Sequence, residues 1–229
     1  MRGAIFDLDG TLADTSADLL AAANVTLREQ GLPQLDAVAD RQIAGRGGKS
    51  MLRRSLEIAG RPIDGEAEIK LVDALYQPFL KVYADALAVR TTLFPGVIDC
   101  LDQLAETGWL LGVCTNKLEG LAVQLLDKLN VRARFSAILG ADTLAVRKPH
   151  PDHVIETARR IGAEPRRCVM VGDTTTDLSA AEAAEIPCVL TRFGFAAEPV
   201  DTLGASAVID SFEALPPILE RLSPQKSPA

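Results

Sequence analysis

Four separated segments of this chain carry side chains that could do chemistry together. Asp7-Leu8-Asp9-Gly10-Thr11 sets two acids two residues apart after an apolar run, and Gly172-Asp173-Thr174-Thr175-Thr176-Asp177 sets two more four residues apart. Between them come Thr115-Asn116-Lys117 and Arg147-Lys148-Pro149. Carboxylates gathered at one place repel, and a like-charge pair at about 4 Å costs about 4 kcal/mol at an effective dielectric of about 20. A hard divalent cation removes that cost, and Mg²⁺ characteristically takes a couple of carboxylates together with waters and phosphate oxygens. No Cys or His cluster competes, which disfavours zinc. Any one of these acids alone reads as a helix cap or a solvated turn. Their joint placement does not. Thr115 and Asn116 precede a predicted helix, whose N-terminus favours an anion, and Pro149 and Pro151 restrict the loop that carries Lys148. The combination predicts a phosphoryl group held between Mg²⁺ and Lys148.

Those segments must be delivered to one place. Predicted strands are Ala4–Leu8, Trp109–Cys114, Ala137–Gly140, Cys168–Gly172, Pro187–Leu190 and the weaker Ala207–Ile209. They are apolar at nearly every position, as in a parallel sheet covered on both faces. Helical patterns separate them, for example over Leu118–Leu129, Asp152–Ile161 and Leu178–Ala184. The alternation predicts an α/β fold with a doubly wound, mostly parallel sheet. In such sheets ligands bind beyond the carboxyl ends of the strands, where each of the four segments falls.

About a hundred residues between the first and second strands show no convincing strand. Ser16 reads as the N-cap of a helix running to Gln30 with Gly31 as its stop, and further helical patterns cover Ser50–Ala59 and about Glu66–Leu87. The excess over a simple crossover predicts an inserted α-helical cap at 15–88, a core domain at 1–14 and 89–222, and a frayed tail at 223–229. Hinges fall near Ala13-Asp14 and Arg90-Thr91. The Ala-rich stretch Leu20–Ala23 reads as cap packing.

The chain has 229 residues, 48% of them hydrophobic, and its 24 Lys and Arg against 31 Asp and Glu give a net charge of −7. An acidic chain without a basic cluster argues against nucleic-acid or anionic-membrane partners. No apolar run approaches the ~18 residues of a membrane span. Asp7 falls where a signal peptide would carry its apolar stretch. Cys100, Cys114, Cys168 and Cys188 are scattered and read as reduced core thiols. A cytoplasmic location is expected. No feature encodes an oligomeric state, and a homo-oligomer stays open.

The motif set Asp7-Leu8-Asp9-Gly10-Thr11-Leu12, Thr115, Lys148 and Gly172-Asp173-x-x-x-Asp177 resembles the signature of the haloacid dehalogenase-like hydrolase superfamily. It spans residues 7 to 177, and the helical insertion is similar to that superfamily's cap. Cys114-Thr115-Asn116-Lys117, Gly140-Ala141-Asp142-Thr143 and Arg147-Lys148-Pro149-His150-Pro151 resemble its phosphoglycolate phosphatase branch, with Ala141 in place of a usual Gly and Thr174 in place of a usual Ser. The resemblance implies a Mg²⁺-dependent phosphatase acting on a small phosphorylated metabolite, 2-phosphoglycolate first among them. Asp7 is then the nucleophile that forms an aspartyl-phosphate, and Asp9 the acid and base. Mg²⁺ is held by the Asp7 carboxylate, the Asp9 carbonyl and Asp173. Gly10, Thr115, Asn116 and Lys148 bind the phosphoryl group, and Asp177 orients Lys148 or a metal-bound water. The dehalogenase branch lacks an acid at the position of Asp9, because halide leaves without a proton. Another small phosphoester, such as a sugar phosphate, or a β-phosphoglucomutase-like phosphomutase remains the alternative.

In the cap, Gly45-Arg46-Gly47-Gly48-Lys49 offers cations for a substrate carboxylate, Arg46 before Lys49. The stretch also mimics a P-loop, but Ile43 stands at the first glycine position and no strand precedes it. Arg192 is a further candidate contact. His150 and His153 lack a third soft ligand and read as structural.

Overall fold

A computed structural model of the chain describes residues 1–62 and 64–223, so the tail expected at 223–229 lies outside the described residues apart from Ser223. Among the described residues, eight strands and eight α-helices follow in chain order. They are β1 (Gly3–Phe6), β2 (Ala13–Asp14), α1 (Ser16–Glu29), α2 (Gly48–Ile58), α3 (Glu66–Asp85), β3 (Thr92–Leu93), α4 (Val97–Glu106), β4 (Leu110–Cys114), α5 (Glu119–Lys128), β5 (Ala137–Leu139), α6 (Pro151–Arg160), β6 (Cys168–Gly172), α7 (Thr175–Ala183), β7 (Cys188–Thr191), β8 (Ala207–Ile209) and α8 (Leu215–Leu222). The chain forms two compact units, Met1–Ala13 with the chain from Leu93 onward, and Asp14–Thr92.

The first unit is built on a six-stranded sheet in the order β5-β4-β1-β6-β7-β8, with every neighbouring pair parallel. The chain steps outward from β1 to β4 and β5, then crosses to β6 on the other side of β1. The strand order therefore reverses between β1 and β6, the crevice where open α/β sheets bind ligands. β1 and β6 are buried at every position, which explains why their residues do not alternate. Ile5, Met170, Cys188 and Leu190 share a cluster with Val154 and Ala158 of α6 and Leu178 and Ala181 of α7. Phe6 points to the opposite face, with its ring 6.3 Å from Phe135. The four cysteines are buried thiols, and burial pushes Cys100, Cys114 and Cys168 up to about 12. Pro216 and Pro217 fall in the first turn of α8, where missing N–H groups cost nothing.

The second unit packs α1, α2 and α3 against one another. Leu19, Leu20, Ala22 and Ala23 are all buried on α1. Two details differ from expectation. Ser16 is the first helical residue and not the N-cap, because the Asp14 carboxylate two residues earlier accepts both its N–H (3.1 Å) and its hydroxyl (2.6 Å). The interval is also not free of strands. β2 and β3 form a two-stranded sheet where the chain passes between units, and two residues apiece are too few to leave a period-two pattern. Among the described residues no helix is long and apolar enough to cross a membrane.

Asp18 closes the second unit on itself. Its buried carboxylate accepts the Arg90 N–H at 3.0 Å, the Thr91 N–H at 2.9 Å and the Thr91 hydroxyl at 2.7 Å. Asp18→Ala strands those donors, so it is expected to lower unfolding free energy by about 3 kcal/mol in urea titrations. A loss below about 0.5 kcal/mol would show that the clip is dispensable.

Candidate active site

The carboxyl end of β1 carries Asp7, and the adjacent end of β6 carries Asp173. Phe6 pairs with Val171, and the Asp7 N–H continues the ladder to the Val171 carbonyl at 2.9 Å, so the two acids leave neighbouring strands at nearly the same height. Asp177 follows one turn into α7. Its Oδ2 accepts the N–H groups of Asp173 (3.2 Å) and Thr174 (3.0 Å) and the Thr174 hydroxyl (2.8 Å). This capping box starts the helix and locks the side chain. Its other oxygen, Oδ1, meets Lys148 Nζ at 2.6 Å, and the same Nζ lies 3.0 Å from Asp7 Oδ1. Asp7 Oδ1 also accepts the Leu8 N–H at 2.7 Å.

Lys148, Asp173 and Asp177 are at most 2% exposed. Three carboxyl groups face one ammonium, and negative charge beyond what Lys148 balances is costly to keep buried. Burial raises the Asp7 carboxyl to about 7, against the pull of Lys148 and with the push of Asp177 and Asp9. Burial, then Asp177 and Asp7, likewise holds Asp173 well above the usual carboxylate range. Burial alone would lower Lys148, but the carboxylates of Asp177 and Asp7 outweigh it, and the side chain remains an ammonium.

Asp7, Asp173 and Asp177 offer oxygen atoms within 4.8 Å of one another, so the cluster could hold a metal ion. The donor set is all oxygen, and its unbalanced charge is what a divalent cation removes. The surroundings are shaped to the acid. Thr11 Oγ1 donates to Asp173 Oδ1 at 2.8 Å and the Phe195 N–H donates to Oδ2 at 2.7 Å. A Cβ at Gly10 or Gly194 would overlap the Asp173 side chain, and Gly10 has φ +84° besides. The residues therefore fit a hard divalent ion. Asp177 is the most heavily tied of the three, with three bonds from the start of α7 and a fourth from Lys148.

The remaining predicted residues are distributed unevenly. Thr115 is buried at the end of β4. Asn116 is exposed, and its amide donates to the Lys148 carbonyl at 2.9 Å, so it holds the backbone of the lysine. Arg46 is exposed at the end of the 3-10 turn Arg41–Arg46 of the second unit. Lys49 is held by Asp73 at 2.6 Å and Arg192 by Asp201 and Asp210. His150 accepts the Asp152 N–H and caps α6.

Two residues at the site were not assigned to it from the sequence. Lys117 Nζ lies 2.8 Å from Asp9 Oδ1 and 3.1 Å from Oδ2. The one available signal was its place beside Thr115 at a strand end. His153 is wholly buried and lowered to about 4 by burial and the Lys148 charge, against its bond to Gly140. Nδ1 accepts the Lys148 N–H at 3.3 Å, so Nε2 carries the proton and faces the Gly140 carbonyl at 3.1 Å. A neutral ring thus braces the backbone of the lysine without adding charge.

Comparison with known proteins follows the same lines. The family model described as haloacid dehalogenase-like hydrolase matches residues 4–191. A phosphoglycolate phosphatase from Caulobacter vibrioides is 42% identical over 211 residues, 92% of this chain and 87% of that protein. One from Mesorhizobium japonicum is 39% identical, covering 92% and 91%. Among solved structures, a predicted phosphoglycolate phosphatase from Haemophilus somnus superposes with a TM-score of 0.82 at 27% identity, covering 93% of this chain and 95% of that one.

Two measurements probe this geometry. Adding Mg²⁺ to the metal-free protein is expected to raise Tm by several degrees, since each kcal/mol moves a chain of this size by about 2–4 °C. Asp173→Asn is expected to erase that response, and a wild-type Tm indifferent to divalent ions would remove the metal site. The second concerns His153, whose folded value of about 4 lies below its ordinary 6.5. The unfolded chain takes up the proton first, so stability present above the ordinary value is lost as pH falls toward the folded one. His153→Gln should shrink the stability lost between about pH 7 and about pH 5 by on the order of 1–2 kcal/mol, and an unchanged loss in denaturant titrations would refute a buried neutral ring.

Proposed function

Because this chain belongs to the haloacid dehalogenase-like hydrolase family, we propose that it is a magnesium-dependent phosphatase that hydrolyses 2-phosphoglycolate to glycolate and phosphate. The observation that carries the reaction type is Asp7, buried at the sheet's switch point and held by Lys148, with a second acid, Asp9, two residues on. The substrate follows from the curated relatives, which carry that name and match over about nine-tenths of both chains.

In this reading an Asp7 carboxylate oxygen attacks phosphorus, and the bond from phosphorus to the ester oxygen breaks. Asp9 gives a proton to the departing alkoxide, which leaves as glycolate. Water then attacks the aspartyl-phosphate and hands a proton back to Asp9, and the bond from phosphorus to Asp7 breaks to release phosphate. Lys148 neutralises charge on the transferring oxygens and holds Asp7, while Asp177 holds Lys148. The Thr115 hydroxyl and the Asn116 backbone N–H bind phosphoryl oxygens; the Gly10 N–H is taken by the Ala13 carbonyl at 2.9 Å, so Gly10 serves the site through its missing Cβ beside Asp173. Asp7, Asp173 and the Asp9 carbonyl would hold magnesium, whose charge would offset repulsion between nucleophile and dianion. Asp9 also decides the reaction class, since an alkoxide needs a proton to leave and a halide does not. Arg46 is assigned to the substrate carboxylate. A domain division into core (1–14, 89–222) and helical cap (15–88) accompanies this reading.

The test is phosphate release from a panel of phosphoesters with and without Mg²⁺. 2-Phosphoglycolate is expected to give the highest kcat/KM, and Asp7→Asn to lose at least about a thousandfold in kcat. Preference for a hexose phosphate would overturn the substrate, and full activity of Asp7→Asn would overturn the nucleophile.

A further inference from the structure

Lys117 has no task in the mechanism above, although its side chain is only 5% exposed and its ammonium faces both oxygens of Asp9. Ordering a lysine side chain costs rotamer freedom, and drawing an ion pair out of water costs more. A lysine kept in this state needs a rigid base.

The structure provides one. The Lys117 N–H donates to Thr115 Oγ1 at 3.2 Å, and the Lys117 carbonyl accepts the Ala141 N–H at 2.9 Å. Asp142, on the same loop, accepts the Glu119 N–H at 2.7 Å and so caps the start of α5. That loop can lie this close because residue 140 is glycine: a Cβ there would overlap the Glu119 backbone. Thr143 adds a hydroxyl contact to the Glu119 carboxylate. The turn from Thr115 to Glu119 is therefore fixed on both sides, and Lys117 reaches Asp9 from a set origin. Contact with both carboxylate oxygens fixes the plane of the group as well as its position.

We propose that Lys117 is a positioning residue that aims the Asp9 carboxyl at the ester oxygen of the substrate. The inference rests on the phosphatase reading, and it makes a prediction that reading alone does not. Loss of aim costs most where leaving-group departure needs a proton. An alkoxide needs one, whereas p-nitrophenolate leaves readily without it.

The experiment compares kcat/KM, which reports on steps up to the first P–O cleavage, across glycerol phosphate, phenyl phosphate and p-nitrophenyl phosphate. None of these carries a carboxylate that Lys117 could bind directly. Lys117→Met is expected to lose roughly a hundredfold on the alkyl ester and less than about tenfold on the nitrophenyl ester, so that activity depends more steeply on leaving-group acidity. In an Asp9→Asn background the same substitution should add no further bias. Thermal melting checks that the Met variant folds, and Lys117→Gln, which keeps a polar group in place, must show the same bias. A uniform loss across the series, no loss, or a bias that persists without Asp9 would overturn the proposal. Absence of turnover in the unsubstituted protein would instead overturn the phosphatase reading itself.

Discussion

Buried negative charge in excess of its counter-charge organises the sheet edge. Lys148 pairs with Asp7 and Asp177, and Asp173 lies in the same group of carboxyl oxygens; repulsion among the acids is strong because little water reaches the cluster. An arrangement of this kind is costly in the folded state and persists because the surrounding backbone over-determines it. The ladder through Val171 fixes Asp7, the capping box fixes Asp177, and Gly10, Gly194 and the Phe195 N–H enclose Asp173. The imbalance is what suits the cluster to a divalent cation.

The two lysines divide the work by their partners. Lys148 meets one oxygen of each of two carboxylates, so it balances charge between Asp7 and Asp177. Lys117 meets both oxygens of one, so it orients Asp9. Each is braced through its backbone by neighbours with no charge to spare: Asn116 and neutral His153 for Lys148, Thr115 and Ala141 for Lys117. The Gly140-Ala141-Asp142 loop supports both, since its glycine carbonyl also receives His153. Residues that look peripheral to the reaction thus determine where its charges stand.

The sequence by itself determined which segments are strands and helices, because burial on both faces and helical periodicity are written in neighbouring residues. It also determined which segments carry acids to a strand end. It could not reveal the β2–β3 bridge, which is too short to leave a pattern, nor that Asp14 would displace Ser16 from its cap position. Tertiary structure alone decided that β6 lies beside β1, so that Asp173 stands next to Asp7. It alone decided that Asp18 clips Thr91 and that Lys117 meets Asp9, more than a hundred residues away. Periodicity and propensity are local properties of a chain, whereas an ion pair across the sheet depends on strand order and register, which only the packing of the whole sheet fixes.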